Sequence, residues 1–244
     1  MKRTMISNNI SVKAPQSTYS VVLEGLDISP SNNHLEIKGN TGAETVVLSK
    51  CSMSYKNYNG LWVRNCKVVA INFDNRSTTT VERESELSLI NSRVQQISSS
   101  DNGKYNIQNC VINGTANVSH SSIKNSIIYG VTKLNDTNTT SNCLLKDGSS
   151  GFANSWYVKT EPDVNPDPWG EDPETPILWD ELFGEDYHLT DAAAATYLGT
   201  DGTQIGIWGG AYPWNETPDY PLVNKLEVKG IHENGKLQVK INVQ

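Results

Sequence analysis

The apolar and polar positions of residues 23–145 fall into a recurring six-residue unit: apolar, any, Asn, Cys or Ser, any, apolar. Its clearest copy is Ile107-Gln108-Asn109-Cys110-Val111-Ile112. The unit returns at residues 63–68, 89–94 and 123–128, and more loosely at 23–28, 48–53 and 140–145, where Gly25, Lys50 and Asn142 hold the Asn position. The outer apolar residues are five apart, so in a straight strand they would point to opposite faces. A residue in the left-handed region reverses that parity. Asn adopts this region more easily than other non-glycine residues, and Gly adopts it without steric cost. A bend at Asn109 therefore lets Ile107, Cys110 and Ile112 all face one interior.

Positions 25, 50, 65, 91, 109, 125 and 142 mark the copies, in steps of 25, 15, 26, 18, 16 and 17 residues. Self-similarity at this period predicts a solenoid whose coils stack on one another. A leucine-rich repeat would need a regular Leu lattice, whereas β-branched residues dominate here and no helical pattern separates the copies. The pattern predicts a parallel β-helix about 35 Å long, with rungs about 4.8 Å apart. Its Asn residues would stack at equivalent bends, Asn65, Asn91, Asn109 and Asn125 among them.

Residues 20–150 resemble the right-handed parallel β-helix proteins of the pectin-lyase-like superfamily, whose coils carry an Asn at one bend. Glu185-Asp186-Tyr187-His188-Leu189 and residues 199–210 are similar to the end of exported Bacteroidetes β-helix proteins of uncertain function. Those relatives often carry Ser-Pro-Ala between the two motifs, where this chain has Ala192 to Ala195. The resemblance implies an exported protein of the periplasm or cell surface. It does not fix an activity, because that superfamily includes lyases, hydrolases, adhesins and inert scaffolds.

The expected fold class is thus all-β: a right-handed parallel β-helix (solenoid) over residues 1–150, a loop-rich C-terminal cap over 151–220 and a terminal β-hairpin over 221–244. Residues 161–176 hold five prolines, which exclude helix and inner strand. Short helices are expected at 177–183 and 191–197. Trp156, Trp169, Trp179, Trp208 and Trp214 lie in this region and are expected to cover the open end of the solenoid. Alternation at 222–228 and 236–243 around Asn234-Gly235 predicts the hairpin. The first 20 residues show no amphipathic helix to cap the first coil, so an upstream domain or a partner chain is expected there.

A net charge of −7 argues against nucleic acid or an anionic membrane as partner. No apolar run is long enough for a membrane span, and the first fifteen residues lack the apolar core of a signal peptide. Cys51, Cys66, Cys110 and Cys143 all fall in the small position of the unit, so they are expected to pack inward, unbridged.

Candidate chemistry lies in the longest coils. Residues 74–86 exceed the common coil length and are expected to project as a loop beside Tyr55, Tyr58 and Trp62. With Asp74, Arg76 and Arg83, these aromatics would make a shallow groove for a neutral or acidic sugar. No Asp or Glu recurs at one position of successive coils, as a stacked calcium site would require, and no converging acid pair is evident. Catalytic residues are therefore unassigned. The acids of residues 161–176 raise a calcium reading, but their irregular spacing without an EF-hand glycine favours a solvated loop and no cofactor. The expected function is a non-catalytic exported β-helix module that binds or displays, with polysaccharide as the candidate partner. The alternative is a polysaccharide lyase or glycoside hydrolase acting on an acidic polysaccharide.

Overall fold

A computed structural model describes residues 4–6, 11–12, 20–28, 35–40, 42–53, 60–82, 84–100, 102–130, 132–146, 149–160, 177–217, 223–231 and 237–243, with side chains from 20 to 217. Residues 20–158 form a parallel β-solenoid. One flank is a seven-stranded parallel sheet of Ser20–Glu24, Thr45–Ser49, Lys67–Ile71, Glu86–Ile90, Lys104–Gln108, Ser122–Lys124 and Thr139–Ser141. The chain then turns a corner into a longer parallel sheet that includes Leu26–Ile28, Ser52–Met53, Asp74–Val81, Arg93–Ser99, Val111–Ile112, Ile127–Ile128, Leu144–Lys146 and Trp156–Val158. Thr4–Ile6 and Ser11–Val12 join that sheet beside Leu26–Ile28 and Leu35–Lys38.

The corner is built as the parity argument requires. Gly25, Lys50, Asn72, Asn91, Asn109, Asn125, Asn142 and Asn154 all have φ between 44° and 63°. Ile107, Cys110 and Ile112 accordingly share one fully buried core. The corner positions are separated by 25, 22, 19, 18, 16, 17 and 12 residues, so the coils shorten toward the C-terminal end.

Asn65 is not in this row. It sits at a second corner, two residues before Lys67–Ile71, and Glu84, Asn102 and His120 occupy the same place before their own strands, with φ of 48°, 61°, 65° and 51° in turn. Each of the four is followed by a small buried residue: Cys66, Ser85, Gly103 or Ser121. Both corners therefore use a left-handed residue followed by a small inward one, and a motif search alone mixes them. Asn72 is the true member of the first row, and its small position holds Phe73.

The cysteines are divided in the same way. Cys51, Ser92, Cys110, Ser126, Cys143 and Ser155 follow the first-corner residues, whereas Cys66 belongs to the second corner. All four cysteines are buried, and none is in a disulfide. Within the first row a Ser hydroxyl accepts from the backbone N–H one rung back, Ser126 Oγ from Cys110 (3.1 Å) and Ser92 Oγ from Phe73 (3.1 Å). The Cys110 thiol faces the carbonyls of Gln108 (3.2 Å) and Leu89 (3.3 Å), and Ser92 makes the same two contacts with Ile90 (2.8 Å) and Ala70 (3.3 Å). Cys110→Ser should consequently cost about 1 kcal/mol or less. Cys110→Leu should overpack the rung by about 1–3 kcal/mol. Urea midpoints of the two variants measure the contrast, and equal losses would contradict this account of the row.

Residues 74–82 do not project as a loop. Asp74–Val81 is one long strand that pairs with Arg93–Ser99 and spans both parts of the long sheet. Its register shift between Asn75 and Thr78 is held internally: Asn75, fully buried, donates to Thr79 Oγ1 (2.7 Å) and accepts from the Ser77 N–H (3.0 Å). The extra residues of this coil are spent on sheet, because a bulge absorbs the added length without breaking the ladder.

Candidate ligand site where the C-terminal strap meets the coils

The outward positions of the long sheet, read rung by rung, are Asp27, Ser52, Asp74, Arg93, Val111, Ile127, Leu144 and Trp156. The first four are polar and the rest apolar. Residues 177–217 cover the apolar half. Trp179, Leu182, Leu189, Ala193, Ile205 and Ile207 bury Val111, Ile127, Leu144 and Val158 in a core separate from the solenoid interior. This segment contains the expected short helices, 3-10 at Trp179–Glu181 and α at Asp191–Thr196. The described tryptophans do cover apolar surface. Trp156, Trp179, Trp208 and Trp214, however, lie on a lateral face of the solenoid rather than over its open end, because the outward apolar residues are on the side. Trp169 and the acidic residues 161–176 lie outside the described residues.

The segment continues as a strap along the Asn corner. Asn142 Nδ2 donates to the Leu198 carbonyl (2.8 Å), and Asn125 Oδ1 accepts from the Thr200 N–H (2.9 Å). Asn91 Nδ2 donates to the carbonyls of Ile207 (2.8 Å) and Gly209 (2.6 Å), and Asn72 Oδ1 accepts from the Asn215 N–H (3.3 Å). Corner amides thus bind strap backbone, a use that the stacking expectation did not foresee. Asn109, fully buried in the same row, has neither amide atom hydrogen-bonded. Two glycines of the 199–210 motif now have a reason. Gly206 (φ 88°) would place a Cβ 2.6 Å from Ile127 Cδ1, and Gly210 (φ 73°) would place one 2.9 Å from Asn109 Cγ, so only glycine lets the strap lie this close.

The polar rungs meet the strap at Arg93. Its Nε and Nη2 bind the two oxygens of Asp74 at 3.0 and 2.8 Å, a bidentate pair across directly opposed residues. Arg76 Nε adds a third contact to Asp74 at 3.3 Å. The hydrogen bond to Asp74 is the main cause that raises the Arg93 pKa above its ordinary value, against the opposing effect of burial. The Arg93 guanidinium also lies 5.7 Å from the Tyr187 ring centre and 5.5 Å from that of Trp214, within cation–π range. Asp186 and Tyr187 are consecutive residues with positive φ, 51° and 62°. The Trp208 indole N–H donates to the Asp186 carbonyl (2.7 Å), and the His188 ring stacks on Trp208 at 3.8 Å. Such backbone persists only where its surroundings over-determine it.

The result is a shelf of Tyr187, His188, Trp208 and Trp214 beside an arginine pair. The Arg76 side chain is 65% exposed and Tyr212 is 54% exposed. Both Asp74 oxygens are engaged by arginines, which suits positioning rather than proton transfer. Among the described residues, no cluster of three or more His, Cys, Asp or Glu side chains is placed to hold a metal.

Of the sequence candidates, Asp74 and Arg76 come together here, while Tyr55, Tyr58 and Arg83 lie outside the described residues. Trp62 stands apart. It is in register with Glu36 and Thr80, and Thr80 is six residues, about 20 Å, along the strand from Asp74. Arg64 sits 4.6 Å over the Trp62 ring and binds Glu36 (2.9 Å) and Glu82 (2.7 Å). The groove expected between Trp62 and the Asp74–Arg76 pair is therefore not formed. Sequence reasoning missed Arg93 and Tyr187, and read Trp214 as cover rather than as part of a site. Arg93 occupies an unremarked "any" position of the repeat, and its significance comes from a strap more than 90 residues away. No protein-family model, curated protein or solved structure matches this chain.

Proposed function

We propose that this chain is a non-catalytic, exported β-solenoid module of pectin-lyase-like type that binds an acidic glycan at the shelf beside Arg93. The observation that supports this reading is the exposed Arg76 beside the Arg93–Asp74 anchor, with the half-buried rings of Tyr187 and Trp214 against Arg93 and the exposed Tyr212 two residues from Trp214. Aromatic faces stack on sugar rings, and a guanidinium binds a uronate carboxylate in bidentate fashion. The flat polar ladder over most of a solenoid offers neither feature.

Isothermal calorimetry against oligogalacturonate, alginate oligosaccharides and a neutral glucan should show binding to an acidic member of the panel. Arg76→Ala and Tyr212→Ala should each weaken that binding about tenfold, the scale of one lost charged or stacking contact, with thermal stability unchanged. Absence of binding across the panel, or affinity indifferent to both changes, would overturn the reading. Appearance of new reducing ends or unsaturated products would make the protein an enzyme instead.

A further inference from the structure

The outward side of the seven-stranded sheet changes character along the stack. In register, Val22, Val47 and Val69 are followed by Ser88, Asn106 and Ser122; in the next outward row Glu24 and Ser49 precede Ile71 and Ile90, which are followed by Gln108 and Lys124. Val22 is 57% exposed, and Val47, Val69, Ile71 and Ile90 are half-buried outside the solenoid core. On the other sheet of this chain, the outward apolar residues Val111, Ile127, Leu144 and Val158 are the ones that the strap core buries. By that pattern, the stripe of Val22, Val47, Val69, Ile71 and Ile90 is a face built to be covered.

The strap leads to it. Trp214 lies over Arg93 on the long sheet, and the next residue, Asn215, is pinned to Asn72, the corner that follows Ile71. The chain therefore leaves the strap at the corner between the two sheets, level with the stripe. Eight residues later begins an antiparallel pair, Val223–Ile231 with Leu237–Val243. Its register sets Val223 against Val243, Leu226 against Ile241, Val228 against Val239 and Ile231 against Leu237. Lys225, Glu227 and Lys229 face Asn242, Lys240 and Gln238. Opposed residues share a face, so the paired apolar and the paired polar positions fall on opposite faces of the ribbon. A two-stranded ribbon alone is marginal in water. Eight residues reach about 28 Å, enough to set the ribbon on a stripe four strands, about 15 Å, wide.

We infer that the C-terminal hairpin folds back with its apolar positions on the outward stripe of Val22, Val47, Val69, Ile71 and Ile90, as a second cover for the solenoid. Hydrogen exchange followed by mass spectrometry on the full chain tests this. Hairpin amides should be protected in the wild type. Val69→Glu should lower that protection at least tenfold, as should Val22→Lys, a change at an exposed position that the fold tolerates. Ser88→Glu, in register one strand further on, should leave it intact. Three results would each overturn the inference: an unprotected hairpin in the wild type, protection unchanged in folded Val22→Lys and Val69→Glu, or protection lost on dilution as the mass falls from two chains to one. The last would assign the stripe to a second copy.

Discussion

Trp179→Ala should destabilise the protein by about 3–5 kcal/mol, the range for removing a buried aromatic side chain. Trp179 is 2% exposed, and its ring meets Tyr129 edge-on at 5.0 Å and Phe183 at 5.3 Å. Tyr129 in turn stacks on Phe183 and touches Tyr187 at 5.6 Å, so one truncation loosens the whole aromatic group under the strap. Because the strap core is separate from the solenoid interior, the loss should appear first as release of the strap. Tryptophan fluorescence should then report a lower urea midpoint than far-UV circular dichroism, and the two transitions should coincide in the wild type. The released face presents Val111, Ile127 and Leu144, so the variant should also aggregate. A loss below 1 kcal/mol with coincident transitions would mean that the strap does not depend on this ring.

That separation explains how much of the molecule could be read from its sequence. A corner is local: Asn109-Cys110 dictates a left-handed residue followed by a small inward one whatever surrounds it, and the solenoid follows from repeating it. The same locality misled the register at Asn65, since a second corner with identical chemistry carries no local mark of its difference. The long strand Asp74–Val81 looked like an insertion because residue count cannot distinguish a loop from a bulged strand, and only Asn75 and Thr79, bonded across the bulge, settle it. The site depended on contacts of still greater separation. Asp74 and Arg76 stood out as charges in a long coil, but Arg93 acquires its role from Tyr187 and Trp214, whose approach is set by outward apolar residues that the repeat leaves unconstrained. The glycines at 206 and 210 were visible as a motif, yet their cause, contact with Ile127 and Asn109, lies in other coils.

The solenoid interior should make the protein unusually sensitive to alkali. Burial pushes the thiols of Cys66 and Cys143 up to about 11 and that of Cys110 up to about 12, from an ordinary value of 9.0. The folded chain therefore holds protons that the unfolded chain releases. Stability from these groups is full below about pH 9, falls as the pH rises beyond it, and stops falling only when the folded thiols themselves ionise near pH 11–12. Each group contributes a slope of at most about 1.4 kcal/mol per pH unit, flattening as its folded value is approached, so the three together remove roughly 7 kcal/mol by pH 11. That is comparable to the whole stability of an ordinary domain, about 5–15 kcal/mol. Tyr105 and Tyr129, raised for the same reason of burial, steepen the fall above pH 10. Urea midpoints between pH 8.5 and 10 isolate the thiols. The wild type should lose stability across that window, while a C66S/C110S/C143S triple variant, with hydroxyls of the kind Ser92 and Ser126 already place in the first row and Ser85 and Ser121 in the second, should stay nearly level. Parallel pH profiles for the two proteins would remove the thiols as the cause.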